Sequence, residues 1–215
     1  MASLKLTEII QDLRKRGSVF VRTPLLKGIN LVKQQKRRAS DSIGSILTRN
    51  WEKISGGCIT TVDSVTLPRV LQIYYSSFDG NSDGLFRRYS KIFNHIFYVA
   101  KIMGETVGYC VYYIKPSLSL HGVRKSAVIY SIAVDSSHRG KGIGKQLLNV
   151  SIQEMESNGI DEILLYVNKK NSRAISLYAK FGFVVIDELP DICGEEEKCY
   201  KMKLMLKKHS REYCD

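Results

Sequence analysis

The stretch that most constrains this chain is Tyr130 to Leu148, YSIAVDSSHRGKGIGKQLL. A β-prone run, Ile129 to Val134, passes through Asp135-Ser136-Ser137-His138 into Arg139-Gly140-Lys141-Gly142-Ile143-Gly144. A helical pattern follows, with Ile143, Leu147, Leu148, Ser151, Ile152 and Met155 on one side. Glycines at a helix start let backbone N–H groups approach an anion closely, and the helix dipole adds partial positive charge there. Strand, glycine loop and helix together predict a pyrophosphate cradle.

Two better-known glycine patterns do not fit. A Walker A loop needs glycine five residues before its Gly-Lys pair, where this chain has Arg139, and Ser or Thr where it has Gln146. The dinucleotide fingerprint is G-x-G-x-x-G, whereas Gly140, Gly142 and Gly144 are spaced G-x-G-x-G. What remains is Arg-x-x-Gly-x-Gly after a strand, which taken alone also fits a glycine-rich turn closing onto a core helix.

The rest of the chain reads as α/β from Cys58 onward. A strand is expected over 58–62, a helix from Thr66 (as cap, with Pro68 in the first turn) to about Phe78, a loop over 79–84 and a helix over 85–93. Ile96 to Met103 and Val107 to Ile114 read as a hairpin about Gly104-Glu105, and Pro116 to Lys125 as a loop. Ala127 to Val134 is the central strand. The helix after the glycine loop ends near Asn158-Gly159. Glu162 to Val167 is a strand and Asn171 to Phe181 a helix. Phe183 to Ile186 and Cys199 to Leu206 are closing strands, with an acidic loop, Asp187 to Glu197, between them. The order is β-α-α-β-β-β-α-β-α-β-β.

That order and three motifs in sequence, Ile132-Ala133-Val134, Arg139-x-x-Gly142-x-Gly144 and Asn171-x-x-Ala174-x-x-Leu177-Tyr178-x-x-x-Gly182-Phe183, resemble the GNAT superfamily of N-acetyltransferases, most of all the N-terminal acetyltransferases of the ribosomal-protein type. The resemblance covers residues 58–206. It implies a mixed central sheet with a splayed central strand and flanking helices, and acetyl-CoA as co-substrate. It also implies roles. Backbone groups of Ile132, Ala133 and Val134 pair with the pantetheine arm, and the Val134 N–H is a candidate oxyanion donor. Amides of Gly140, Lys141, Gly142, Ile143, Gly144 and Lys145 hold the pyrophosphate, with charge from Arg139 and Lys145. Tyr178 is the candidate acid that donates to the departing thiolate. Asn171 has two readings, a ligand for the cofactor arm or a helix cap. The family's glutamate position is Tyr166 here, which leaves a water relay or a channel-lining role for that side chain.

Charge bears on the acceptor and on partners. Neutralising an α-amine of pKa near 8 at pH 7 costs roughly 1.4 kcal/mol, against roughly 4.6 for lysine near 10.4. A site without a visible carboxylate base therefore suits a protein N-terminal amine, with a polyamine or amino acid as second choice and a non-catalytic acetyl-CoA-binding module as the reading from another class. The net charge is +12. Residues 1–57 carry 12 Lys/Arg against 4 Asp/Glu, or +8. This basic N-terminal extension, partly helical by pattern, invites contact with ribosome or RNA, or merely solvates the chain. Residues 207–215 form a tail. Five scattered cysteines without C-x-x-C spacing give neither a zinc site nor a disulfide framework and fit a reducing, cytoplasmic setting with unpaired thiols, although Cys193 and Cys199, which flank a short acidic segment, could approach each other. No metal is expected. No run is apolar enough for a membrane span or a signal core.

Overall fold

The structure is a computed structural model. It describes residues 41–53, 57–78, 82–119, 122–190, 193 and 197–207, with side chains unspecified at 117–119, 122 and 123. Expectations for residues 1–40, and those for the tail beyond 207, lie outside the described residues.

Seven strands form one sheet in the order β1-β2-β3-β4-β5-β7-β6. They are β1 (Ile59–Thr61), β2 (Phe97–Ile102), β3 (Glu105–Ser119), β4 (Gly122–Val134), β5 (Glu162–Asn168), β6 (Val184–Pro190) and β7 (Lys198–Met205). Every pairing is antiparallel except β4 with β5. The helices are α1 (residues 41–47), α2 (Leu67–Tyr75), α3 (Asp83–Ile92), α4 (Ile143–Ser157) and α5 (Ser172–Lys180). From residue 58 the element order is the expected one. The sheet is mixed and flanked by helices, as anticipated.

Strand alternation divides the core in two. On one face Tyr98, Cys110, Tyr112, Ile129, Ile163, Leu165 and Val167 pack with Leu147, Leu148 and Met155 of α4 and Tyr178 of α5. On the other, Val99, Tyr109, Val111 and Ala133 meet Val70, Ile73 and Tyr74 of α2 and Phe86 of α3.

Several local expectations are revised. The 116–125 segment is not a loop: Pro116 pairs with Lys125 and Ser119 with Gly122, so β3 and β4 run on as a ribbon. Proline is tolerated because β2 has already ended opposite Val111, leaving β3 an edge strand there. Thr66 does not cap α2 with its hydroxyl. Instead Asp63 Oδ1 accepts from the Thr66 N–H at 2.7 Å and the Val65 N–H at 3.0 Å. Helix α2 also stops at Tyr75, short of Phe78. The acidic 187–197 segment is not all loop, since Asp187 to Pro190 belong to β6. Cys193 and Cys199 are joined as a disulfide, with Cα atoms 6.0 Å apart, rather than left as free thiols. The hairpin of β6 and β7 brings their backbones within bridging distance.

Residues 41–53, read as part of the N-terminal extension, pack into the core of the domain instead. The Ser/Gly stretch at 41–45 is helical, and Trp51 is buried in the main core. Its indole N–H donates to Glu154 Oε2 at 3.1 Å, as do Lys53 Nζ at 3.1 Å and the Tyr98 hydroxyl at 2.9 Å. The buried Glu154 carboxylate thus fastens this segment to the back of α4. Gly44 is where α1 lies against the core: a Cβ there would come within 2.7 Å of Phe93 Cε1.

Candidate active site

The seam between β4 and β5 closes only part-way. Ser126, Ala127 and Val128 pair with Glu162, Ile163 and Leu164, and no pairing follows. From Ile129 to Val134 one side of β4 therefore lacks a partner strand. A bulge sharpens the divergence: Val111 pairs with Ser131 and Tyr112 with Ile129, so Tyr130 is the extra residue. The direction of the free groups follows from one bond. The Asp135 N–H donates to Val107 O of β3 at 2.8 Å. Backbone alternation then turns the N–H and C=O of Val134, and those of Ile132, away from β3 and into the gap, while Ala133 faces β3.

At the top of the gap the chain turns through Ser136–His138 and enters α4 at Gly142, whose φ of 81° is left-handed. Gly140 is also left-handed, at 82°. No side chain caps α4, and its first turn has no acidic residue. Gln146 is the first residue whose N–H closes a helical bond, to Gly142 O at 3.0 Å. The amides of Ile143, Gly144 and Lys145 are thus left for an external acceptor. Lys141 and Lys145 are exposed beside them. Gly144 sits against Val134 and Leu177, each 3.8 Å from where a Cβ would lie, so the start of α4, the end of β4 and α5 meet at one point. An anion carried here gains from the helix dipole without repulsion from a carboxylate cap.

Arg139 is placed differently from a simple phosphate ligand. Its Nε donates to Val134 O at 3.0 Å and its Nη2 to Ser77 Oγ at 3.0 Å. The side chain folds back onto the end of β4 and onto the turn after α2. Asn171 caps α5, its Oδ1 accepting from the Ala174 N–H at 3.1 Å.

Tyr178 lies in the main core, 6% exposed, with its ring 5.7 Å from that of Phe183. Burial pushes its phenol well above the ordinary range, and the nearby Cys110 thiol adds to the shift. The phenol is therefore protonated at neutral pH. Tyr166 is half-buried on β5. Its neighbours Leu165 and Val167 point into the α4/α5 core, so Tyr166 projects from the opposite face. The structure does not place the two tyrosines side by side. They stand on opposite faces of the sheet, flanking the gap.

Residues 67–183 match the family described as acetyltransferase (GNAT) family. The chain belongs to the GNAT family. An N-alpha-acetyltransferase of Sulfurisphaera tokodaii is 35% identical over 122 residues, which is 54% of this chain and 73% of that protein. N-alpha-acetyltransferase 30 of Saccharomyces cerevisiae is 34% identical over 88 residues, 41% of this chain and half of the yeast protein. Among solved structures, the NatC complex bound to Gag peptide and CoA contains a chain that aligns with a TM-score of 0.64 at 23% identity, covering 69% of this chain and 98% of that one. That likeness is one of fold.

Within this GNAT domain, two residues near the site escaped the sequence reading. Arg69 of α2 reaches Glu105 and Asp135, each at 3.1 Å. Ser77 receives Arg139. No local pattern marks either, because their partners are tens of residues away. Among the described residues no cluster of His, Cys, Asp and Glu is placed to hold a metal ion, and no helix is long and apolar enough to cross a membrane. A shallow cavity of about 300 Å3 is lined by residues of 45–49 and 91–95, none of them from the gap or the glycine loop.

Proposed function

We propose that the protein transfers acetyl from acetyl-CoA to the α-amine at the N-terminus of a protein or peptide, by direct attack in a ternary complex. The observation that carries this reading is the half-open β4–β5 seam ending at an uncapped helix amino terminus. The pyrophosphate of the coenzyme lies on the amides of Ile143, Gly144 and Lys145, with charge from Lys141 and Lys145. The pantetheine amides pair with the free backbone of Ile132, the Val134 carbonyl being already taken by Arg139. The thioester carbonyl then meets the Val134 N–H, which stabilises the negative charge that develops on its oxygen.

The amine approaches from the Tyr166 face and attacks the thioester carbon. A C–N bond forms, the C–S bond breaks, and the nitrogen gives up one proton. Tyr178 approaches the sulfur from the α4/α5 face. Its raised pKa makes complete proton transfer to a thiolate, ordinarily near pKa 8.5, costly. Its role is to donate a hydrogen bond to the departing sulfur, and the proton that finishes on the coenzyme is the one the amine releases. Tyr166 orients the water that carries it. An α-amine suits this site because roughly one pKa unit, not three, separates it from neutrality at pH 7. The relatives named N-alpha-acetyltransferase support the same acceptor class.

The test is a panel of peptides that differ in their first residues, each in free and N-blocked form, with a polyamine as control. Mass spectrometry locates the acetyl group and thiol release gives the rate. Acetylation at the free N-terminus, abolished by blocking it, is the expected result. Preference for the polyamine or for internal lysine would overturn the acceptor assignment.

A further inference from the structure

The free edge of β4 raises a mechanical question. A strand normally holds its peptide planes by ladders on both sides, yet Val134 has β3 on one side only. The groups that replace the missing ladder tie the end of β4 to the two ends of α2. Arg139 Nε caps the Val134 carbonyl at 3.0 Å, and its Nη2 is anchored on Ser77 just past the carboxyl end of α2. At the other end of α2, Arg69 Nη2 holds Asp135 Oδ2 at 3.1 Å and Glu105 Oε1 at 3.1 Å. Asp135 is fixed further, its Oδ1 accepting from the Ser137 N–H at 3.0 Å and its own N–H donating to Val107 O at 2.8 Å. Arg69 Nε is buried with no hydrogen-bond partner among the described residues. The helix therefore accepts an uncompensated donor to keep its guanidinium in this position.

We propose that Arg69 and Arg139 are positioning residues, two guanidinium bridges to the ends of α2 that fix the Val134–Asp135 peptide and so limit rotation at Val134, whose N–H lies on the preceding peptide plane. The bridges bracket that peptide: one holds its oxygen, the other the side chain that follows its nitrogen. That peptide is one rigid plane, and the preceding plane, which carries the Val134 N–H, is tied to β3 through Ala133, so with both planes held the Val134 N–H keeps its direction. Arg139 acts here through Val134, and its charge toward the pyrophosphate is secondary. The inference rests on the reading of Val134 as the oxyanion donor.

Two measurements on the full chain decide it. The first is hydrogen exchange of the Asp135 amide with CoA bound. Arg69→Gln, Ser77→Ala and Arg139→Ala should each speed it about tenfold or more, and unchanged exchange in Arg69→Gln and Arg139→Ala overturns the bridges. The second separates kcat from coenzyme affinity. Arg69→Gln and Ser77→Ala should lower kcat at saturating acetyl-CoA several-fold while the Kd for CoA, by calorimetry, stays within about twofold. Arg139→Lys keeps the charge but cannot span Val134 and Ser77 together, so it should resemble Arg139→Ala. Full kcat in Arg139→Lys, with only Arg139→Ala losing CoA affinity, would mark Arg139 as a phosphate ligand and sink the proposal. Adding Ser77→Ala to Arg139→Ala should cost nothing more, since both remove one bridge. Melting temperatures identify any variant that fails to fold, and Arg139→Lys then stands in for the alanine change. A wild-type chain that acetylates no amine would remove the functional reading, while the exchange data would still decide the bridges.

Discussion

Tyr178 shows how far a single side chain is determined by its surroundings. Its hydroxyl adds nothing to the packing against Phe183 that a phenylalanine ring could not supply. Tyr178→Phe should therefore leave stability and the Kd for acetyl-CoA nearly unchanged while lowering kcat by ~10²-fold, the range for removing one donor to developing charge. Calorimetry beside steady-state kinetics checks this, and unchanged turnover would take the residue out of the mechanism. The sign of the pH dependence follows from burial. The reaction needs the phenol protonated, so rate is lost as pH rises through its pKa, and burial has moved that pKa upward. The kcat/KM profile should rise through the α-amine pKa near 8 and show no falling limb up to about pH 10. A limb centred near 9 would point to a different acid. The side-chain roles of Arg139 and Asn171 were less legible. Nothing in R-x-x-G-x-G says that the guanidinium bends back onto Val134, because Ser77 lies 62 residues upstream. The choice between ligand and cap at Asn171 turns on a rotamer, which a sequence does not encode.

At the scale of elements, periodicity and turn chemistry located every strand and helix from β1 to β7, and the errors are of one kind. Pro116 to Lys125 reads as a loop, but the effect of a proline depends on whether a neighbouring strand needs an N–H there, and β2 does not reach it. Serine and glycine are poor helix formers, yet α1 forms over 41–47 because Gly44 lets it press on Phe93. In both cases a tertiary neighbour reversed a local preference. Gly44→Ala tests the second. Phe93 is fully buried and cannot swing away, so overpacking should cost about 2 kcal/mol, or roughly 4–8 °C in melting temperature for a domain of this size. CoA affinity should hold, because the glycine loop is untouched. A neutral or stabilising result would mean that α1 is not docked as described. The sequence placed the functional boundary at residue 57. The Trp51–Glu154 bond shows that residues 41–53 contribute to the core.

Across the whole molecule, charge and topology divide the labour. Of the net charge of +12, +8 falls within residues 1–57, and the Lys33-Gln-Gln-Lys36-Arg37-Arg38 run lies outside the described residues. Our proposal for that charge is contact with RNA. Changing Lys33, Lys36, Arg37 and Arg38 to alanine in the full chain should then lower the slope of log K against log salt by about 3 for single-stranded RNA, with peptide acetylation unchanged. A slope that stays the same would assign the run to solvation. The sheet, in turn, is a wall with one incomplete seam. Tyr178 stands behind it and Tyr166 in front, so on the proposed function coenzyme and amine come to the same point without sharing a doorway. Neither has to leave before the other enters, and the two products can depart in opposite directions. A single inhibitor that imitates both reactants must be threaded through the wall. Its linking atoms should be no bulkier than an unbranched chain, however large the groups at either end.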